Sequence, residues 1–115
     1  MNHKELDVWK KSMDLVESIY KISNTFPDDE KFGLTSQIRR AAISIPSNIA
    51  EGAGRKGDKE FIQFLHIALG SLTELDTQYI IAVRLQYIVK NEELELLIND
   101  VKRLIIGFRN YLNGK

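Results

Sequence analysis

Three glycines, Gly52, Gly54 and Gly57, stand in the letters G-x-G-x-x-G, with Arg55 and Lys56 between the last two. Such a run holds a dinucleotide pyrophosphate when it leaves a β-strand and enters a helix, because the glycines let backbone amides approach the phosphates. Here the preceding residues read as a helix, so an interhelical turn is the better reading. A basic turn could still hold an isolated phosphate, in competition with Asp58 for the same amides.

Metal chemistry lacks its ligands. A di-iron bundle needs Glu-x-x-His on each of two helices, yet the only histidines are His3 and His66, and Gln63 stands three residues before His66. Glu92, Glu93 and Glu95 would suit Mg²⁺ if a second acidic motif faced them, and none does; a helix start with a solvated face accounts for them. No nucleophile elbow or triad spacing is present. Cysteine is absent, which removes thiolate nucleophiles, thiolate metal sites and disulfides. The sequence points away from an enzyme and calls for no cofactor and no metal.

Charge is the remaining chemical signal. The chain is neutral overall, but Lys31, Arg39, Arg40, Arg55, Lys56 and Lys59 face only Glu51 and Asp58 over residues 31–59, a local balance of +4. Residues 1–30 balance to −3. Arg39, Arg40, Arg55, Lys56 and Lys59 are therefore the candidate polyanion-binding residues. Taken alone, the residues favour ordinary solvated charge or salt bridging between subunits, since aromatic residues for base stacking are missing here apart from Phe32.

Helices must position these groups. Leu6, Trp9, Met13, Val16 and Tyr20 form one apolar stripe of a first helix, facing a partner. Val8, Leu15, Ile19, Ile22 and Phe26 form a second stripe roughly 130° away at ~100° per residue. A helix at the edge of a monomeric bundle needs one such face, so Val8, Leu15, Ile19 and Ile22 are candidate oligomer contacts. Pro27 stops the helix.

Helix two follows with Thr35 or Ser36 as its cap and Leu34, Ile38, Ala41, Ala42, Ile45 and Ile49 inward. Ile43 projects to the opposite side and joins the oligomer candidates. Pro46 removes an amide hydrogen and crowds the Ala42 carbonyl, which predicts a kink, with Ser44 or Asn48 meeting the freed carbonyl. Asp58 caps helix three, whose seam is Phe61, Leu65, Ala68, Leu72, Leu75, Tyr79 and Ala82, ending near Ile88 or Val89. Asn91 caps helix four, with Leu94, Leu97, Val101, Leu104, Phe108 and Tyr111 inward and Gly114 as stop.

The expectation is all-α: one domain, residues 1–115, folded as an antiparallel up-down four-helix bundle. Its 43 % apolar and 28 % charged residues suit a globule rather than a disordered chain. No apolar run approaches the ~20 residues of a membrane span, and the start lacks a signal peptide's apolar core. Together with the missing cysteines, this reads as a soluble cytoplasmic protein with no membrane partner.

The run Leu34-Thr35-Ser36-Gln37-Ile38-Arg39-Arg40-Ala41-Ala42-Ile43-Ser44-Ile45-Pro46-Ser47-Asn48-Ile49-Ala50-Glu51-Gly52 resembles the signature of the bacterial four-helix-bundle proteins encoded in intervening sequences of 23S ribosomal RNA genes. Leu6-Asp7-Val8-Trp9-Lys10, Gly54-Arg55 and the stretch from Glu60-Phe61 to Leu65 are similar to that family too, so the resemblance covers most of the chain. Relatives include an accessory protein of diversity-generating retroelements thought to partner a reverse transcriptase and nucleic acid. The resemblance implies a homopentameric ring of four-helix protomers without catalytic residues. The leading functional expectation is a non-enzymatic oligomeric scaffold or adaptor associated with RNA or a ribonucleoprotein, partnered by itself and by RNA or a nucleic-acid-processing protein. The alternative is a purely protein-binding homo-oligomer.

Overall fold

The computed structural model describes residues 1–115. Four helices carry the chain: α1 (Asp7–Ser23), α2 (Leu34–Ala53), α3 (Asp58–Arg84) and α4 (Glu92–Asn113), with single 3₁₀ turns at His3–Glu5 and Asp28–Glu30 and no strand. Each helix packs on its sequence neighbours, and α4 closes the circuit against α1, while the backbones of the diagonal pairs stay apart. This is a four-helix bundle, 46 × 25 × 20 Å. No helix is long and apolar enough to cross a membrane.

The core forms where apolar side chains recur at helical spacing. The α3 seam is buried as read, from Phe61 through Ala82 at every expected position. On α2, Ile38, Ala41, Ala42, Ile45 and Ile49 are buried as expected, while Leu34 is half-buried. On α4 the inward face is turned by about one residue. Leu94, Ile98, Val101, Ile105 and Leu112 are buried, whereas Leu97, Leu104 and Phe108 are half-buried and Tyr111 is 60 % exposed.

Helix α1 reverses its expected orientation. Val8, Leu15 and Ile19 lie in the protomer's own core together with Ser12 and Ser23, while on the other stripe Trp9 and Val16 are half-buried and Met13 and Tyr20 are exposed. The buried serines cost little because each hydroxyl donates to the helix itself, Ser12 to the Val8 carbonyl at 2.6 Å and Ser23 to the Tyr20 carbonyl at 3.3 Å.

The helix ends differ from expectation in instructive ways. Asn91 caps α4 through its side chain, which accepts the Leu94 N–H at 3.0 Å, and Gly114 is the C-cap. Helix α2 starts at Leu34, before Thr35 and Ser36, and its first amide is met by Glu30 instead. Asp58 lies inside the first turn of α3, where it pairs with Lys115 at 3.3 Å, and gives no side-chain cap. Helix α3 ends at Arg84, short of Ile88, because Gln86 takes φ 64°. Its amide donates to the Val83 carbonyl and that of Tyr87 to the Ala82 carbonyl, both at 3.0 Å, a Schellman ending.

Pro46 is buried within an unbroken α2. The Asn48 side-chain amide donates to the carbonyl and hydroxyl oxygens of Ser44, at 2.8 and 2.9 Å, and not to Ala42. The Ser44 hydroxyl meets that of Ser71 at 2.8 Å and so ties α2 to α3.

Candidate functional site

An apolar groove runs along the outer seam of α1 and α2. Trp9, Met13 and Val16 line it from α1, Ile43, Pro46, Ser47 and Ala50 from α2, and His3 closes one end with its ring edge-on to Trp9 at 5.2 Å. Met13 and Ile43 are 39 % and 44 % exposed. Side chains of this size placed in water on two adjoining helices make a patch that a partner would gain free energy by covering, about 25 cal/mol per Å² of apolar surface.

Of the oligomer candidates, Ile43 faces solvent as expected. Val8, Leu15 and Ile19 cannot touch another subunit, being buried in the core they help to build. Ile22 is half-buried in a separate depression beside Lys21, Thr25, Ile88 and Val89. The exposed large apolar residues of α1 are instead Met13 and Tyr20, on the other stripe.

The polyanion candidates divide in the same way. Arg39 is bound inside the protomer: its Nε donates to the Ser23 hydroxyl at 2.8 Å, its Nη2 to Asn24 Oδ1 at 3.0 Å, and its guanidinium lies over the Tyr20 ring at 4.5 Å. Arg55 pairs with Glu51 at 2.7 Å, approaches Glu60 at 3.9 Å and lies over Phe64 at 5.0 Å. Arg40, Lys56 and Lys59 are exposed and form no ion pair within the chain. Arg40 is separated from the basic turn by about 20 Å of helix, so the five do not form one patch.

The glycine run has a packing role at its first member. A Cβ on buried Gly52 would lie 2.7 Å from Phe61 Cδ1 and 2.8 Å from Phe64 Cβ, so glycine lets the end of α2 approach α3. Gly54 caps α2 and Gly57 precedes α3, with a helix rather than a strand before them. His66 is exposed on the outer face of α3, with Thr73, Thr77 and Arg84 also exposed.

A cleft between α3 and α4 contains Asp76, Tyr79, Lys90, Glu95 and Lys102. Its buried hydroxyl is already saturated. Tyr79 accepts the Asn91 N–H at 2.8 Å and donates to Glu95 Oε2 at 2.7 Å, while Lys90 approaches Glu95 at 3.7 Å. Burial, with the Glu95 carboxylate adding to it, pushes the Tyr79 phenol above its ordinary value, and its bond to Asn91 works against the rise. No cluster of three or more His, Cys, Asp or Glu side chains is arranged to hold a metal ion.

Two features escaped the sequence: the Arg39 clamp, and the Glu30 carboxylate that joins Leu34 to Tyr87. Each joins residues far apart in the chain through side chains that read as surface polar groups. The usable signal was Gly33 without a capping side chain, which left the start of α2 in need of an acceptor from elsewhere.

The fold is a four-helix bundle with an apolar groove between α1 and α2 and with Arg40, Lys56 and Lys59 outside any intramolecular ion pair. Residues 4–107 match the family model described as 23S rRNA-intervening sequence protein. The chain belongs to that family. It is also similar to the crystal structure of a protein of unknown function from the S23 ribosomal protein family of Bacteroides thetaiotaomicron, with 26 % sequence identity, coverage of 89 % of this chain and 97 % of that one, and a TM-score of 0.77. No curated protein matches the chain.

Proposed function

We propose that the protein is a non-catalytic, self-associating helical module whose α1–α2 groove forms the subunit contact. The observation that carries this reading is the exposure of Met13 and Ile43 in one groove with the half-buried Trp9 and Val16. A closed ring suits such a surface, because a heterologous contact that closes leaves no unsatisfied end to grow into fibres. Light scattering coupled to size exclusion tests it. A mass of several protomers, five if the ring is that of the family resemblance, supports the reading, and a monomer at micromolar concentration removes it.

A second reading makes the assembled ring a scaffold or adaptor for RNA or a ribonucleoprotein. It is supported by Arg40, Lys56 and Lys59, free of intramolecular ion pairs and repeated on every subunit, so that weak phosphate contacts would add along one strand. Fluorescence anisotropy with RNA across a salt series separates the two. Counterion release makes RNA affinity fall steeply with salt, and Arg40→Glu or Lys56→Glu should weaken it while the oligomer persists. No binding at low salt leaves the protein-only module.

A further inference from the structure

Two connections at one end of the bundle meet on a single carboxylate. Glu30 lies in the 3₁₀ turn between α1 and α2. Its Oε1 accepts the Leu34 N–H at 3.0 Å at the first turn of α2, and its Oε2 accepts the Tyr87 hydroxyl at 2.7 Å from the α3–α4 connection. Gly33 makes the first contact geometrically feasible, since a Cβ there would lie 2.5 Å from Glu30 Oε1.

Tyr87 is held from both sides. Its ring packs against Phe26 with centroids 5.8 Å apart, and its amide closes the Schellman ending of α3 on the Ala82 carbonyl. The residue before it, Gln86, has the left-handed φ of 64° that a side chain disfavours. The contacts of Tyr87 therefore offset backbone strain in the connection.

We infer that the α1–α2 and α3–α4 connections open as one cooperative unit, with Glu30 as the latch between them. Both bonds immobilise the same side-chain torsions, so losing either frees the carboxylate and weakens the other. Anything that draws Tyr87 away from the bundle thereby uncaps α2, and loss of the α2 start loosens the end of α3. Phe32, almost wholly exposed next to this junction, would move with it.

Amide hydrogen exchange followed by NMR tests the latch. Tyr87→Phe leaves the Glu30 carboxylate and its bond to Leu34 chemically intact, yet the Leu34 amide should exchange about fivefold faster, the scale of one lost hydrogen bond. Glu30→Ala should accelerate the Gln86 and Tyr87 amides by a similar factor, although their acceptors lie in α3. The buried Leu72 amide must stay slow in both variants. Acceleration confined to the mutated side overturns the inference, as does equal acceleration at Leu72, which would mean global destabilisation. Should Glu30→Ala not fold, Glu30→Gln offers one acceptor oxygen where the carboxylate offers two. Combined with Tyr87→Phe it should then give less than the product of the two single effects at Leu34; a full product shows independent sites and overturns the latch.

Discussion

The Arg39 guanidinium on α2 lies over the Tyr20 ring on α1, 4.5 Å from guanidinium carbon to ring centre, while its Nε donates to the hydroxyl of Ser23 one turn further along. The stacking and the hydrogen bonds fix the last turn of α1 against the first half of α2. Its neighbour Arg40 is exposed and has no such partner.

These two arginines should therefore behave differently. Arg39→Ala is expected to destabilise the fold by about 1–2 kcal/mol through the lost stack and hydrogen bonds, and Arg40→Ala by less than about 0.5 kcal/mol. Urea denaturation curves measure both. Equal midpoints for the two variants would show that the clamp contributes nothing to stability.

Glycine-to-alanine substitutions should have opposite signs at two helical sites. At Gly52 the new methyl group would overlap Phe61 and the Cβ of Phe64, and a loss of about 1–3 kcal/mol is expected despite alanine's better helix propensity. At Gly70, exposed and with nothing within 4 Å of a Cβ, the same change should stabilise α3 by up to about 1 kcal/mol. Thermal melts of both variants check the contrast, and a stabilised Gly52→Ala would refute the close approach of α2 and α3.

Gln86 offers a second route to stabilisation. Glycine bears no Cβ penalty at φ 64°, so Gln86→Gly should gain roughly 1 kcal/mol and raise the melting temperature by about 4–8 °C. A lower melting temperature would mean that the Gln86 side chain makes a contribution larger than the backbone strain.

Two of the tyrosines should ionise late. Burial pushes the Tyr79 phenol up, and the hydrogen bond to Glu30 does the same for Tyr87. For a group whose folded pKa is raised, the contribution to stability is full below the unfolded value near 10 and is lost as pH rises through the folded value. Ultraviolet titration of the phenolate band should show a late component that Tyr79→Phe and Tyr87→Phe each reduce. The acid side runs the other way. The Leu34 amide, then the Tyr87 hydroxyl, holds the Glu30 carboxyl below its ordinary value of 4.5, so its contribution is present above that pH and is lost as pH falls through the lowered value.

Much of the bundle was legible in the chain, and the misreadings have specific causes. The α3 seam stood out because its seven inward positions keep strict alternating four- and three-residue spacing without a polar interruption. Helix α1 carries two, and the buried one is interrupted by Ser12 and Ser23, whose hydroxyls are satisfied by the helix's own carbonyls and so can be buried. Both stripes were legible, but the polar letters in the inner one favoured its assignment to an oligomer contact. On α4 the adjacent pairs Leu97 with Ile98 and Leu104 with Ile105 leave the helix rotation ambiguous by one residue, which only packing against α1 and α3 decides. The free cations could not be separated from the engaged ones by sequence, because Arg39 finds its partners on another helix.

If the α1–α2 groove joins copies of the chain, light scattering of Ile43→Glu beside the wild type will show it. A charge at this exposed position should leave the fold intact by circular dichroism while adding a desolvation cost to any contact that buries it. The expected result is a wild-type mass of several 13.2 kDa protomers that falls to one or to a concentration-dependent mixture in the variant. A monomeric wild type, or a variant whose mass is unchanged across the micromolar range, would contradict the claim.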